Sequence, residues 1–202
     1  MENQSEARRL WRVAWLALAV LTIAGSDAAL AHTGFEHAVS FASGFKHPWT
    51  GLDHALAMLA VGLWAGFNGG RALWAWPAAF VGVMVAGGVL GIAGVSVPMV
   101  EPGILASVIV LGLLVLTAAR LPVALGAVLV ALFAILHGHA HGAELPAQAA
   151  AATYAAGFAL ATALLHGLGL GVAYLCRSDS GRLIVRGAGA LMAVAGVALA
   201  VV

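Results

Sequence analysis

His47-Pro48-Trp49-Thr50-Gly51-Leu52-Asp53-His54, followed at once by Ala55-Leu56-Ala57-Met58, sets an acid and an imidazole at the mouth of a long apolar run. A second imidazole, His47, stands just ahead of Pro48. Proline is favoured in the first turn of a helix, where its missing N–H costs nothing. The pattern therefore predicts a helix beginning near Pro48, with Asp53 and His54 in its first turn or two. His47 is expected at the cap or just outside. An ionised group in a membrane helix is expensive, about 2.5–3.5 kcal/mol for an Asp at the helix centre and less near the interface. A cation, a partner side chain or water must compensate that cost.

Composition sets the class. Of 202 residues, 63% are hydrophobic and only 8% charged, against about 25% charged in a soluble domain. The chain reads as an all-α, polytopic membrane helix bundle. One cysteine, Cys176, excludes an intrachain disulfide framework and any cysteine-rich metal site. There is no Walker-type phosphate loop, so ATP bound to this chain cannot drive transport. No basic patch with interleaved aromatics points to nucleic acid. No serine lies in a Gly-x-Ser-x-Gly setting, which argues against a hydrolase; the chain is not expected to be an enzyme.

Residues 1–31 read as a cleaved secretory signal. Arg8, Arg9 and Arg12 form a positive region, Val13 to Ala24 an apolar one, and Ala29-Leu30-Ala31 a cleavage site. The alternative is an uncleaved anchor; either places residue 32 outside the cytoplasm. Residues 32–202 then form a single transmembrane domain. Six spans are expected, roughly 50–67, 73–94, 102–119, 122–138, 149–175 and 183–202, with a break at His139 to Pro146 among others. With residue 32 outside, Arg71, Arg120, Arg177, Arg182 and Arg186 fall inside, and Lys46 alone falls outside. That is the positive-inside bias. It implies a multi-pass protein of a bacterial inner membrane whose mature N-terminus is periplasmic.

The second and fifth spans are rich in glycine: Gly82, Gly87, Gly88, Gly91 and Gly94, then Gly157, Gly167, Gly169 and Gly171. Small residues let membrane helices approach closely, which predicts a compact bundle. No internal repeat suggests an inverted-repeat transporter.

Seven of the eight histidines fall at the outer side of this topology; only His166 lies near or below mid-membrane. His47 and His54 are seven residues apart, about 10 Å along a continuous helix, too far to share an ion at about 2 Å per metal–nitrogen bond. Either the chain breaks at Pro48 and folds His47 back, or the two serve successive positions on a path. Met58, four residues beyond His54, could offer a thioether to a soft metal or simply pack. His137, His141 and Glu144 follow i, i+4, i+7 spacing, so a helix sets two imidazoles and a carboxylate on one side. Imidazole and carboxylate ligands suit Ni, Co, Zn, Cu(II) or Fe. His139 would point away, or stay in an outer loop to capture metal. His166, with Thr162 four residues before it, could be a ligand or a buried histidine bonded to Thr162 or a carbonyl. After signal cleavage, the free α-amine of His32 and its imidazole could chelate one ion together.

The runs His-Pro-x-x-Gly-x-Asp-His (His47 to His54), His-Gly-x-x-His-Gly-x-Glu (His137 to Glu144) and Gly-Phe…Thr…His-Gly (Gly157 to Gly167) resemble the HupE/UreJ family of nickel and cobalt permeases. The likeness covers the whole mature chain. Where that family often has Phe before the second motif, this chain has Leu136, a change in packing rather than in a ligand. The resemblance implies that His47, Asp53, His54, His137, His141 and Glu144 occupy metal-motif positions, and His166 a fifth-span motif. It implies uptake of Ni2+, with Co2+ second, by a passive or potential-driven route. No prosthetic group is expected beyond the transported ion; a link to maturation of a nickel enzyme would follow. The alternative is a membrane cytochrome holding haem between histidines such as His54, His137 or His166, which leaves Asp53 and Glu144 unexplained.

Overall fold

The structure is a computed structural model that describes residues 40–145 and 150–201. The expected signal segment and His32 lie outside the described residues. Seven helices account for nearly all of what is described: α1 (Phe41–Thr50), α2 (Leu52–Asn68), α3 (Ala72–Ile92), α4 (Val100–Thr117), α5 (Val123–Glu144), α6 (Ala151–Leu175) and α7 (Asp179–Ala200). Five, α3 to α7, are long and apolar enough to cross a membrane. The pair α1–α2, bent by 83° at one residue, supplies a sixth span if counted together. The chain is thus an all-helical, multi-pass membrane bundle.

The bend lies at Gly51 and not at Pro48, which is buried inside α1. α1 opens with a reciprocal cap, in which Ser40 Oγ accepts the Ser43 N–H at 3.3 Å and Ser43 Oγ accepts the Ser40 N–H at 2.9 Å. With that start fixed upstream, Pro48 falls near the far end of a short helix. The chain then passes through extended backbone at Gly51 (φ −83°, ψ 110°), and α2 begins. Asp53 and His54 do stand in the first turn of α2, as its spacing predicts.

α5 also departs from expectation. It runs through His139, His141 and Gly142 to Glu144, where a break was expected. The polar run stays helical because α3 covers it. A Cβ on Gly138 or Gly142 would collide with the Met84 or Gly88 backbone, and one on Gly91 with the His139 carbonyl. Buried backbone needs internal hydrogen bonds, and the helix provides them.

The same contact recurs across the bundle. Gly62 and Gly169 seat α2 on α6, Gly44 and Gly157 seat α1 on α6, and Gly112 and Gly189 seat α4 on α7. Of the glycines singled out by sequence, Gly82, Gly167 and Gly171 face open space, and Gly94 adopts φ +70° in the connection after α3. α2 is buried from Ala60 through Ala65 without a polar face, the pattern of a helix enclosed by others. α7 instead leaves Leu183, Leu191, Val194 and Val197 exposed, an apolar face suited to lipid.

At the arginine-rich end, Trp64 and Trp76 stack at 4.0 Å between ring centroids. Their indole N–H groups donate to the Ala119 and Val123 carbonyls at 2.8 and 2.9 Å. Asn68 ties the same connection, donating to Ala119 O at 3.1 Å and accepting the Leu121 N–H at 3.2 Å. Asn68→Leu leaves the Ala119 carbonyl its bond from Trp64 but takes the acceptor from the Leu121 N–H, and is expected to destabilise the fold by about 1–3 kcal/mol, read as an earlier midpoint in detergent unfolding. An unchanged midpoint would deny Asn68 this role.

Candidate functional site

At the end opposite the tryptophan stack, four elements converge on a set of imidazoles. The bend at Gly51 turns α1 back over α2, so that His47 and His54 have ring centroids 6.2 Å apart, not the helical 10 Å. α5 sets His141 against both, with centroids 4.5 Å from His47 and 4.5 Å from His54. One turn deeper on α5, His137 lies 4.9 Å from His54. The four rings form a continuous line running inward: His47, His141, His54, His137.

Donor atoms of His47, His141 and Glu144 lie within 4.8 Å of one another. Glu144 is exposed and His47 half-buried, whereas His141 is only 6% exposed, so this trio grades from water to interior. Asp53 Oδ1 meets His54 Nδ1 at 2.7 Å and also accepts the His54 backbone N–H at 2.8 Å. His137 donates from Nδ1 to the Phe133 carbonyl at 2.9 Å.

Below His137 the line passes an aromatic ring. Phe80 of α3 lies 5.5 Å from His137 and 5.1 Å from His166 of α6, edge to face with the latter. His166 is fully enclosed, and neither of its nitrogens has a hydrogen-bond partner among the described residues. Thr162 does not bond to it, as its spacing had allowed; its hydroxyl donates to Met84 Sδ at 3.6 Å. Met58 is fully buried in the apolar core. Phe158 closes the side of the upper cluster, 4.3 Å from His141.

Several ring nitrogens here have no hydrogen-bond partner among the described residues: His54 Nε2, His137 Nε2 and both nitrogens of His141 and His166. Leaving a buried polar group unbonded costs about 1–3 kcal/mol each. A protein that carries several in one line has donor atoms waiting for something to complete them.

His139 stands apart. It is buried on another side of α5 and donates from Nε2 to the Val95 carbonyl at 2.6 Å, fastening the connection between α3 and α4. It points away from the other two rings of its motif and is part of the helix rather than of a loop. His139→Leu is therefore expected to act on stability, costing about 0.5–1.5 kcal/mol for the lost bond to Val95, read as an earlier unfolding midpoint; an unchanged midpoint would deny His139 this role.

The structure thus brings together His47, Asp53, His54, His137, His141 and Glu144, and sets His166 one aromatic ring deeper. Phe80 had no signal of its own in the sequence: with Trp76 and Met84 it forms an i, i+4, i+8 apolar stripe, the pattern of ordinary packing.

The comparisons with known proteins give the family. The family model described as HupE / UreJ protein matches residues 18–199. Protein HupE of Rhizobium leguminosarum bv. viciae is 47% identical over 171 residues, covering 85% of this chain and 89% of the relative. No solved structure matches. The chain belongs to the HupE/UreJ family, a family of membrane permeases and not of enzymes.

Proposed function

We propose that the protein carries a divalent transition metal, Ni2+ first and Co2+ second, from the periplasm across the bacterial inner membrane into the cytoplasm. The observation that carries this reading is the line of buried imidazoles whose nitrogens lack partners, opening at one end on a half-exposed His47, His141 and Glu144. These donor types suit Ni2+ and Co2+, and family membership supports a permease.

In this reading Glu144, His47 and His141 capture the ion and begin to replace its water shell. His54 and His137 receive it next, with the negative charge of Asp53 behind His54. His166 is the deeper relay position beyond Phe80. The histidine-rich end is periplasmic, and the mature N-terminus lies on that side. A divalent cation moving inward gains roughly 4.6 kcal/mol per 100 mV of inside-negative potential, so no chemical energy source is required.

The haem alternative needs two imidazoles with a flat macrocycle between them. His141 contacts both His47 and His54, and His54 contacts His137, so these rings already fill that space.

Uptake of radiolabelled Ni2+ by cells expressing the protein tests the proposal. Wild type should exceed empty cells, excess Co2+ should compete, and Glu144→Gln should fall several-fold at equal membrane abundance. Imidazoles bind metal only when neutral, and binding releases protons. Uptake should therefore fall as external pH drops from about 7.5 to about 5.5. Uptake equal to that of empty cells, or rising with acidity, would contradict the reading.

A further inference from the structure

Two histidines of the line have their hydrogens fixed by what they touch. A carbonyl oxygen can only accept, so the bond from His137 to Phe133 O requires a hydrogen on Nδ1. In a neutral imidazole the other nitrogen then carries the lone pair. That nitrogen, Nε2, is buried and without a partner. His54 follows the same logic with a different acceptor. Asp53 Oδ1 takes the His54 backbone N–H at 2.8 Å and faces Nδ1 at 2.7 Å. An ionised carboxylate has lone pairs and no hydrogen to give, so Nδ1 is the donor. Nε2 of His54 is left with its lone pair, also buried and unpartnered. The two touching rings thus carry matching tautomers.

We propose that Asp53 is a positioning residue of the metal path: it holds His54 in the Nδ1–H tautomer, with the Nε2 lone pair free for the ion, and is not itself a ligand. The proposal rests on the metal-uptake reading above and assigns one residue of that same site. Asp53 does for His54 what the Phe133 carbonyl does for His137. A carboxylate behind a ligating imidazole fixes its orientation and raises its basicity.

The local chain is built for this pairing. Asp53 is the second residue of α2, in the turn whose backbone N–H groups have no intrahelical partner, and its carboxylate satisfies one of them. Gly51 precedes it by two residues. A Cβ there would lie 3.1 Å from Asp53 Oδ1 and 3.2 Å from His54 Nδ1, crowding both ends of the bond. The residue that bends the chain is thus also the one that leaves room for the pair.

The test is the tautomer of His54 in the metal-free protein, read from nitrogen chemical shifts of histidine-labelled full chain in lipid nanodiscs, with His54→Phe identifying the signal. Wild type should show Nδ1–H. In Asp53→Asn the amide Oδ1 can still accept both the His54 backbone N–H and the Nδ1–H, so the tautomer should be kept and Ni2+ affinity should stay within about tenfold of wild type. Asp53→Ala, which offers no acceptor, should give a mixture of tautomers, and Ni2+ affinity should fall about 10–100-fold, as when an outer-shell partner of a metal ligand is lost. A wild-type ring protonated at Nε2 overturns the proposal whatever the variants do. Loss of Ni2+ affinity in Asp53→Asn with the tautomer unchanged would make Asp53 a ligand, overturning the proposal and leaving the metal route standing. A wild type that shows the Nδ1–H tautomer but binds no Ni2+ would sink the metal route, and with it the role assigned here.

Discussion

His141→Ala is expected to weaken Ni2+ binding by about 100-fold or more, a loss of ~2.8 kcal/mol. Among the described residues His141 is the one ring in contact with both His47 and His54. It also supplies a donor to the set completed by His47 and Glu144. Removing it takes a ligand away and opens a gap between the half-exposed entrance and the buried pair His54–His137. Neither of its nitrogens is bonded to another described residue, so alanine strands no partner among them. Fold stability should change much less than affinity. Equilibrium binding of Ni2+ to purified protein, with thermal unfolding as control, reads both. An affinity within threefold of wild type would remove His141 from the path.

Gly138→Val is expected to disrupt the same site without touching a donor atom. The Cβ position of Gly138 falls on the Met84 carbonyl and within 2.9 Å of the Gly88 nitrogen, and both are backbone atoms that cannot rotate aside. α5 would have to move off α3, taking His137 and His141 with it. Overpacking of a close interface costs about 1–3 kcal/mol and sometimes more, and here there is no flexible neighbour to yield. The expected result is less folded protein on extraction, an earlier unfolding midpoint and loss of metal binding together. Gly82→Val, at a position with no atom within 4 Å of an added Cβ, should leave all three unchanged. Equal behaviour of the two variants would mean that α3 and α5 are not held by this contact.

The class of fold is legible from composition alone, because an apolar chain with so few charges has no soluble solution. The placing of His137, His141 and Glu144 on one side of a helix is legible too, since i, i+4, i+7 spacing needs no tertiary information. What spacing could not decide was where helices stop. Pro48 looked like a start because proline is welcome there; it lies inside α1 because Ser40 and Ser43 cap that helix upstream, and Gly51 takes the bend. The run His139 to Glu144 looked like a loop because its residues are polar or small. It is helix because Gly88 and Gly91 of α3, fifty residues earlier, admit it. His139 and His141 differ by two residues and in every contact, one bonded to Val95 and the other set among rings, as a 200° step around α5 requires (about 100° per residue). Phe80 was not separable from core, since an aromatic on an apolar stripe carries no mark of what lies opposite it.

The most direct test of the central claim is flux through the purified protein. Wild type and His141→Ala would be reconstituted in liposomes, and entry of radiolabelled Ni2+ followed under an imposed inside-negative potential. The account predicts entry by wild type that grows with the potential and is absent in His141→Ala at equal protein content. No entry above protein-free liposomes, or equal entry in both proteins, would contradict the assignment of the imidazole line as a route for metal.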